Sequence, residues 1–352
     1  MMGRKIRVLI IDDSALVRDI LEKGLSADPD IEVVGKAPDV YIARDKIVFK
    51  KPDVLTLDVE MPKMDGVEFL KKLMPQYPIA VVMVSSMTSS TSKITLDALE
   101  AGAIDFVLKP SNKVGSGLNE MMKELIEKIK IASKVDVSKW KKQEYSQIIN
   151  KTKTSNVLEG STDKVIAIGA STGGTVALTK IINEFPQDIP GTVIVQHMPP
   201  VFTKMFADKL NETAKVEVKE AQNGDRIITG RVLIAPGGLH MEVIRSGGYY
   251  IVQCKEGEKV NGHCPSVDVL FDSVAKNVGV NSIGVILTGM GRDGAFGMLN
   301  MRNNGARTIA QDEQSSVVFG MPLEAYKCGG AEKLVNLSDI NQSIIRLIKE
   351  IK

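Results

Sequence analysis

Residues 164–174 read KVIAIGASTGG, and TVALTKIINEF follows at 175–185. Val165–Ala170 shows no polar alternation, as expected of a strand buried on both faces of a parallel sheet. TVALTKIINEF then reads as a helix. The turn between, Ser171-Thr172-Gly173-Gly174, is rich in glycine. Strand, tight turn and helix in this order predict an α/β unit. The surrounding chain repeats the alternation. Strands are expected in TVIVQH (192–197), RVLIAP (231–236), SIGVILTG (282–289) and RTIAQ (307–311). Helices are expected in VFTKMFADKLN (201–211), SVDVLFDSVAKNV (266–278) and DINQSIIRLIKEI (339–351). EVIRSGGYYIVQC (242–254) reads as a hairpin around Ser246-Gly247-Gly248. Residues 163–352 are therefore expected to form a doubly wound parallel sheet.

The first 132 residues predict a second domain of the same class. RVLII, IEVVG, DVLTL, IAVVMVS and DFVLK are the strand candidates. Leu16, Val17, Ile20, Leu21 and Leu25 share a helical face, with Ser14 where an N-cap belongs. Leu118, Met121, Met122, Leu125 and Ile129 form another such face. Between the domains, residues 133–162 are polar and rich in Lys, Ser and Thr, and carry the only tryptophan, Trp140. They read as a linker, partly helical at its start.

The chain has 352 residues, 43% of them hydrophobic, and a net charge of +2, so two ordinary cores are within reach. The near-neutral balance carries no footprint for nucleic acid. No apolar run is long enough to span a bilayer. Cys254, Cys264 and Cys328 have neither paired nor metal-type spacing, and are expected to be reduced thiols of a cytoplasmic protein.

Ligands of open parallel sheets collect at the carboxyl ends of the strands. Asp12 and Asp13 end the first strand and Asp58 the third, so three carboxylates converge. Alone they repel one another. A hard divalent cation such as Mg²⁺ relieves that and suits carboxylates together with phosphate oxygens. Lys109 ends the last strand, able to neutralise an added phosphoryl group, and Ser85 ends the fourth with a hydroxyl. A cis bond at Lys109-Pro110 would help to aim the lysine.

In the second half, Ser171 meets the spacing G-x-S-x-G of a nucleophile elbow. The helix behind it offers N–H groups to an oxyanion. The loop by itself suits a nucleophile or a bound anion equally. A base must come from three histidines. His197 and His240 both follow strands, and His263 lies in an irregular segment, NGHCPS. The third carboxylate is Asp293, directly after IGVIL, or Asp268, which sits in a helical pattern and would pair on a surface.

Residues 6–130 resemble a response-regulator receiver domain, on LDVEMPKMDG and DFVLKP. That resemblance implies that Asp58 takes phosphate from a histidine kinase. It implies Mg²⁺ on Asp12, Asp13 and Asp58, with Ser85 and Lys109 sensing the phosphoryl group. From about Val165 onward, GASTGG, VQHMPPVFTKMFADKL, LIAPGGLHM, PSVDVLFDSVA and GVILTGMGRDGA resemble the catalytic domain of chemotaxis protein-glutamate methylesterases. The implied triad is Ser171, His197 and Asp293, with Thr172 and the Met290 N–H beside the substrate carbonyl. No cofactor is expected at that site. The implied activity is phosphorylation-activated hydrolysis of glutamate methyl esters on chemoreceptors, and deamidation of selected glutamines. An unphosphorylated receiver would cover the catalytic cleft. Cys264 stands where this family usually has an arginine. A receiver driving a transcription factor would instead carry a small basic helix-turn-helix output, and a non-catalytic output would dock on receptors without releasing methanol.

Overall fold

The computed structural model describes residues 4–86, 89–110, 116–137 and 163–351. The chain divides into two compact units, Met1–Lys151 and Thr152–Lys352. The expected linker falls largely outside the described residues, Trp140 included.

The first unit alternates strictly: β1 (Ile6–Ile11), α1 (Ala15–Ser26), β2 (Ile31–Ala37), α2 (Val40–Lys50), β3 (Val54–Asp58), α3 (Gly66–Gln76), β4 (Ala80–Ser85), α4 (Ser89–Glu100), β5 (Asp105–Leu108) and α5 (Ser116–Ala132). The strands lie in the order β2-β1-β3-β4-β5, all pairs parallel. Winding begins at β1 and reverses there, so β1 and β3 are neighbours at the switch point where ligands bind. All residues of β3 and β4 are buried, which explains their unbroken apolar runs. Ser14 caps α1 through its hydroxyl, as its position suggested. The apolar face of α1 is shorter than its spacing implied: Leu21 and Leu25 are buried, but Leu16, in the first turn, is 70% exposed. Met121, Leu125 and Ile129 of α5 are buried.

The second unit contains β6 (Val165–Ala170), α6 (Gly174–Asn183), β7 (Gly191–Gln196), α7 (Phe202–Thr213), β8 (Glu217–Glu220), β9 (Arg231–Ile234), β10 (His240–Ser246), β11 (Tyr249–Lys255), α8 (Val267–Asn277), β12 (Ser282–Ile286), α9 (Ala295–Asn303), β13 (Arg307–Gln311), α10 (Met321–Lys327), β14 (Lys333–Val335) and α11 (Ile340–Glu350). Its seven-stranded sheet runs β14-β13-β12-β6-β7-β9-β8, all parallel. The chain starts in the middle at β6, winds outward through β7, then returns to lay β12 on the other side of β6. The predicted hairpin forms as an antiparallel pair outside this sheet, β10 with β11.

Some elements of this unit were not among the expected ones, α9 included. β8 (EVKE) and β14 (KLV) are the two edges of the sheet, too polar or too short to show a buried run. α10 is a seven-residue helix. No helix among the described residues is long and apolar enough to cross a membrane.

Candidate active site and phosphoacceptor site

The β1/β3 switch point gathers the three acidic residues. Asp12, Asp13 and Asp58 each offer an oxygen, and these atoms lie within 4.8 Å of one another. Asp12 and Asp58 are buried and Asp13 is exposed. Lys109 Nζ bridges the buried pair, 2.8 Å from Asp12 Oδ2 and 2.8 Å from Asp58 Oδ2. It does so without the cis bond considered above: among the described residues the cis peptide bond is Cys264–Pro265. Burial pushes Asp58 up to about 6, with Asp12 adding to the rise, although Lys109 opposes it. Burial works against the Lys109 charge, but the two carboxylates outweigh it and raise its pKa. Three hard oxygen donors carrying more negative charge than one lysine neutralises are a fit for a divalent cation. Ser85 is held differently. Its carbonyl accepts the Lys109 N–H (2.7 Å). Its hydroxyl is buried and bonds Thr95 Oγ1 of α4 at 2.8 Å, not the carboxylates.

In the second unit Ser171, His197 and Asp293 all come from the carboxyl edge of the sheet, off β6 and its two neighbours. Ala170 and Gln196 are paired in register, and the His197 N–H donates to Ala170 O at 3.1 Å. On the other side the Ser171 N–H donates to Thr288 O at 3.0 Å. The turn after Ser171 holds Gly173 at φ 77° as the N-cap of α6.

His197 Nε2 lies 2.8 Å from Asp293 Oδ2. Asp293 is buried and accepts four further hydrogen bonds. Oδ2 takes the Val267 N–H (2.7 Å), and Oδ1 takes Ser266 Oγ–H (2.7 Å), Asn261 Nδ2–H (3.0 Å) and the Asp268 N–H (3.3 Å). Burial pushes the Asp293 carboxyl upward. The hydrogen bond and charge of His197, with Asn261 and Ser266, overcome this and hold it well below the usual carboxylate range. An ionised carboxylate only accepts, so Nε2 carries a proton and, in the neutral ring, Nδ1 holds the lone pair. Nδ1 is buried and has no partner among the described residues. The ring stacks on His263, with centroids 3.6 Å apart and planes 9° from parallel. The Ser171 hydroxyl makes no hydrogen bond to a described residue.

The competing residues have other occupations. His240 is buried at the start of β10, its Nε2 bonded to Glu258 O (2.8 Å) and its Nδ1 accepting the Ser266 N–H (3.2 Å). Both ring nitrogens are spent on loop backbone. Asp268 is not a surface residue: it is buried in the first turn of α8 and accepts from the Gly297 N–H and Asn261 Nδ2 (2.7 Å each). Burial raises its pKa, with Asp293 nearby contributing.

Thr172 is buried, and its carbonyl accepts Thr288 Oγ–H at 3.0 Å. Gly289 packs so close that a Cβ would stand 2.7 Å from Ser171 Cβ. Its N–H is committed to Val318 O (3.0 Å), while the N–H of the next residue, Met290, goes to no described residue. Cys254, Cys264 and Cys328 are free thiols, and burial pushes Cys254 up to about 11. The patterns did not single out Gln196, Asn261 and Ser266. Gln196 was visible as a polar end to an apolar strand, whereas Asn261 and Ser266 lie where no periodicity operates.

Three clustered carboxylates on one doubly wound sheet and a serine at the switch point of another are the arrangement expected of a response regulator with an enzymatic output. A family model described as the response regulator receiver domain matches residues 8–115, and one described as CheB methylesterase matches 166–344. A protein-glutamate methylesterase/protein-glutamine glutaminase of Syntrophotalea carbinolica is 61% identical over 350 residues, 99% of each chain. A protein of the same name from Escherichia coli is 50% identical over 344 residues, 98% of this chain and 97% of its own. The crystal structure of the Thermotoga maritima CheB methylesterase catalytic domain is 38% identical, with a TM-score of 0.52, and spans 53% of this chain and 99% of its own. The chain belongs to the CheB methylesterase family. It is a carboxylic ester hydrolase joined to a receiver domain.

Proposed function

We propose that this protein hydrolyses γ-glutamyl methyl esters on chemoreceptors, releasing methanol, and deamidates selected receptor glutamines, with Ser171, His197 and Asp293 as the catalytic residues. The orientation of His197 carries this reading. Asp293 anchors Nε2, so the basic nitrogen is Nδ1, buried and unpartnered at the edge where Ser171 emerges. His197 Nδ1 takes the Ser171 proton as Oγ attacks the ester carbonyl. Asp293 then stabilises the imidazolium. We assign the developing oxyanion to the Met290 N–H, which no described residue accepts, and to Thr172. His197 returns the proton to the departing methoxide, and water attacks the acyl-enzyme with His197 again as base.

Asp58 accepts the phosphoryl group from a histidine kinase, and this raises the hydrolytic rate. Asp12, Asp13 and Asp58 would hold Mg²⁺, which neutralises phosphate charge when bound. Lys109, freed from Asp58, pairs with the phosphoryl oxygens, and Ser85 exchanges Thr95 for the same group. The protein works in the cytoplasm on the signalling portions of its receptors. The decisive experiment measures methanol release from methylated receptor membranes. Ser171→Ala should abolish release and leave Asp58 phosphorylation intact, and Asp58→Asn should remove stimulation by the phosphodonor. Near wild-type turnover in Ser171→Ala would mean that another group is the nucleophile.

A further inference from the structure

Gln196, the last residue of β7, is 3% exposed. Its side-chain Nε2 donates to two carbonyls, Ser171 O at 3.0 Å and His197 O at 3.2 Å. These belong to the residues read above as nucleophile and base. The His197 N–H to Ala170 O bond is the last main-chain tie between β6 and β7. One residue later the strands part, Ser171 into the turn before α6 and His197 toward Pro199 and Pro200. The Gln196 amide supplies two donors where the ladder has run out.

The other end of the side chain makes its retention informative. Oε1 is buried and accepts no hydrogen bond from a described residue. It packs on Gly174, where a Cβ would approach it within 2.2 Å. An orphaned buried carbonyl costs stability, and an apolar side chain of similar volume would avoid that cost. What such a side chain could not do is join the two carbonyls.

We infer that Gln196 is a positioning residue for the hydrolysis: its amide locks the backbone of the nucleophile to the backbone of the base and so sets the separation of Ser171 Oγ from His197 Nδ1. It touches no reacting atom. The inference rests on the reading of Ser171 and His197 as nucleophile and base.

The test measures kcat and KM for methanol release from methylated receptor membranes, using the phosphorylated full-length chain and the variants Gln196→Met, Gln196→Glu and Ser171→Ala. Gln196→Met should lower kcat on the order of 10²-fold, the scale of a displacement of about 1 Å between reacting groups, with KM within about twofold. Gln196→Glu separates positioning from packing. Once ionised, the introduced carboxylate has no proton to donate and opposes two carbonyl oxygens. Burial and those carbonyls favour its neutral form. As the pH falls it gains an O–H that restores one of the two bonds. The ratio of its kcat to that of Gln196→Met should therefore climb roughly fivefold or more between pH 8 and 6. If Gln196→Met fails to fold, the ratio of Gln196→Glu to wild type carries the same test, because the wild-type pH limb divides out. A kcat within about threefold of wild type in Gln196→Met, a loss confined to KM, or a ratio independent of pH would overturn the inference. Ser171→Ala keeps the two levels apart. If it remains active, the underlying reading fails. If it is dead while Gln196→Met is unimpaired, only the positioning role fails.

Discussion

Asp293→Asn removes one charge and no volume, and its effects can be worked from the five hydrogen bonds at that carboxylate. All five partners donate. The amide can be placed two ways. With its NH₂ toward His197 and Val267, the Val267 N–H loses its acceptor. His197 Nε2 must then accept, which moves the ring proton to Nδ1, where the base is needed. With its oxygen toward His197, the NH₂ confronts Asn261 Nδ2 and the Asp268 N–H, and the charge that supports the imidazolium is gone. Either way a buried backbone N–H is orphaned, at a cost of about 1–3 kcal/mol. For a domain of this size that lowers the melting temperature by about 2–4 °C per kcal/mol. The expected fall in kcat is on the order of 10³–10⁴, as for wrong-tautomer variants of other serine triads. The assay is methanol release from methylated receptor membranes, paired with a thermal melt of the same preparation. Turnover within about tenfold of wild type, with an unchanged melt, would refute the role assigned to Asp293. The sign of its pKa adds a control. A depressed carboxyl contributes stability that is present above its unfolded pKa of about 3.9 and is lost only as pH falls through the lower folded value. Activity lost between pH 7 and 5 should therefore not be accompanied by loss of fold at this site.

Three other outcomes are expected. His197→Ala should cost several powers of ten in kcat, whereas His240→Ala should mainly lower the melting temperature, because it strands Glu258 O and the Ser266 N–H; the reverse ranking would transfer the base to His240. Val201, the N-cap of α7, is a half-exposed β-branched residue at φ 76°, ψ −45°, a strained backbone of order 1–3 kcal/mol; Val201→Gly should raise the melting temperature by a few degrees, and a fall would show that the strain is not real. Because burial raises Asp58 to about 6, its proton competes with a divalent cation; calorimetric Mg²⁺ affinity should weaken about tenfold per pH unit below 6, and a flat profile down to pH 5 would exclude Asp58 as a ligand.

What the sequence revealed follows from where each residue is buried. VIAIGA and DVLTL announce themselves because both faces of a central strand are covered, so every position is apolar. EVKE and KLV did not, because an edge strand has an open side and tolerates charge. The positions of Ser171, Asp12 and Asp58 were legible, since each ends such a central run. Strand position alone did not decide between His197 and His240, because both follow strands, and it was the family resemblance that pointed to His197. In the structure, contacts distant in sequence, Asp293 on one and Glu258 and Ser266 on the other, separate them. Asp268 was misread because helical spacing placed it on a surface, while α9 packs over it. The contacts of Gln196 with Ser171 and of Asn261 with Asp293 span 25 and 32 residues, and no local pattern carries information over that range.

The return of the chain to lay β12 against β6 has a consequence during synthesis. Until residues 282–286 have left the ribosome, β6 has a neighbour on one side only. Its free flank is then a flat apolar ribbon of unpaired N–H and C=O groups, the kind of edge that recruits other chains. A message truncated or stalled before that point yields a product with serine and histidine in place but a sticky seam at its centre. Nascent chains of this protein are thus most in need of chaperone cover between the emergence of β6 and the arrival of β12.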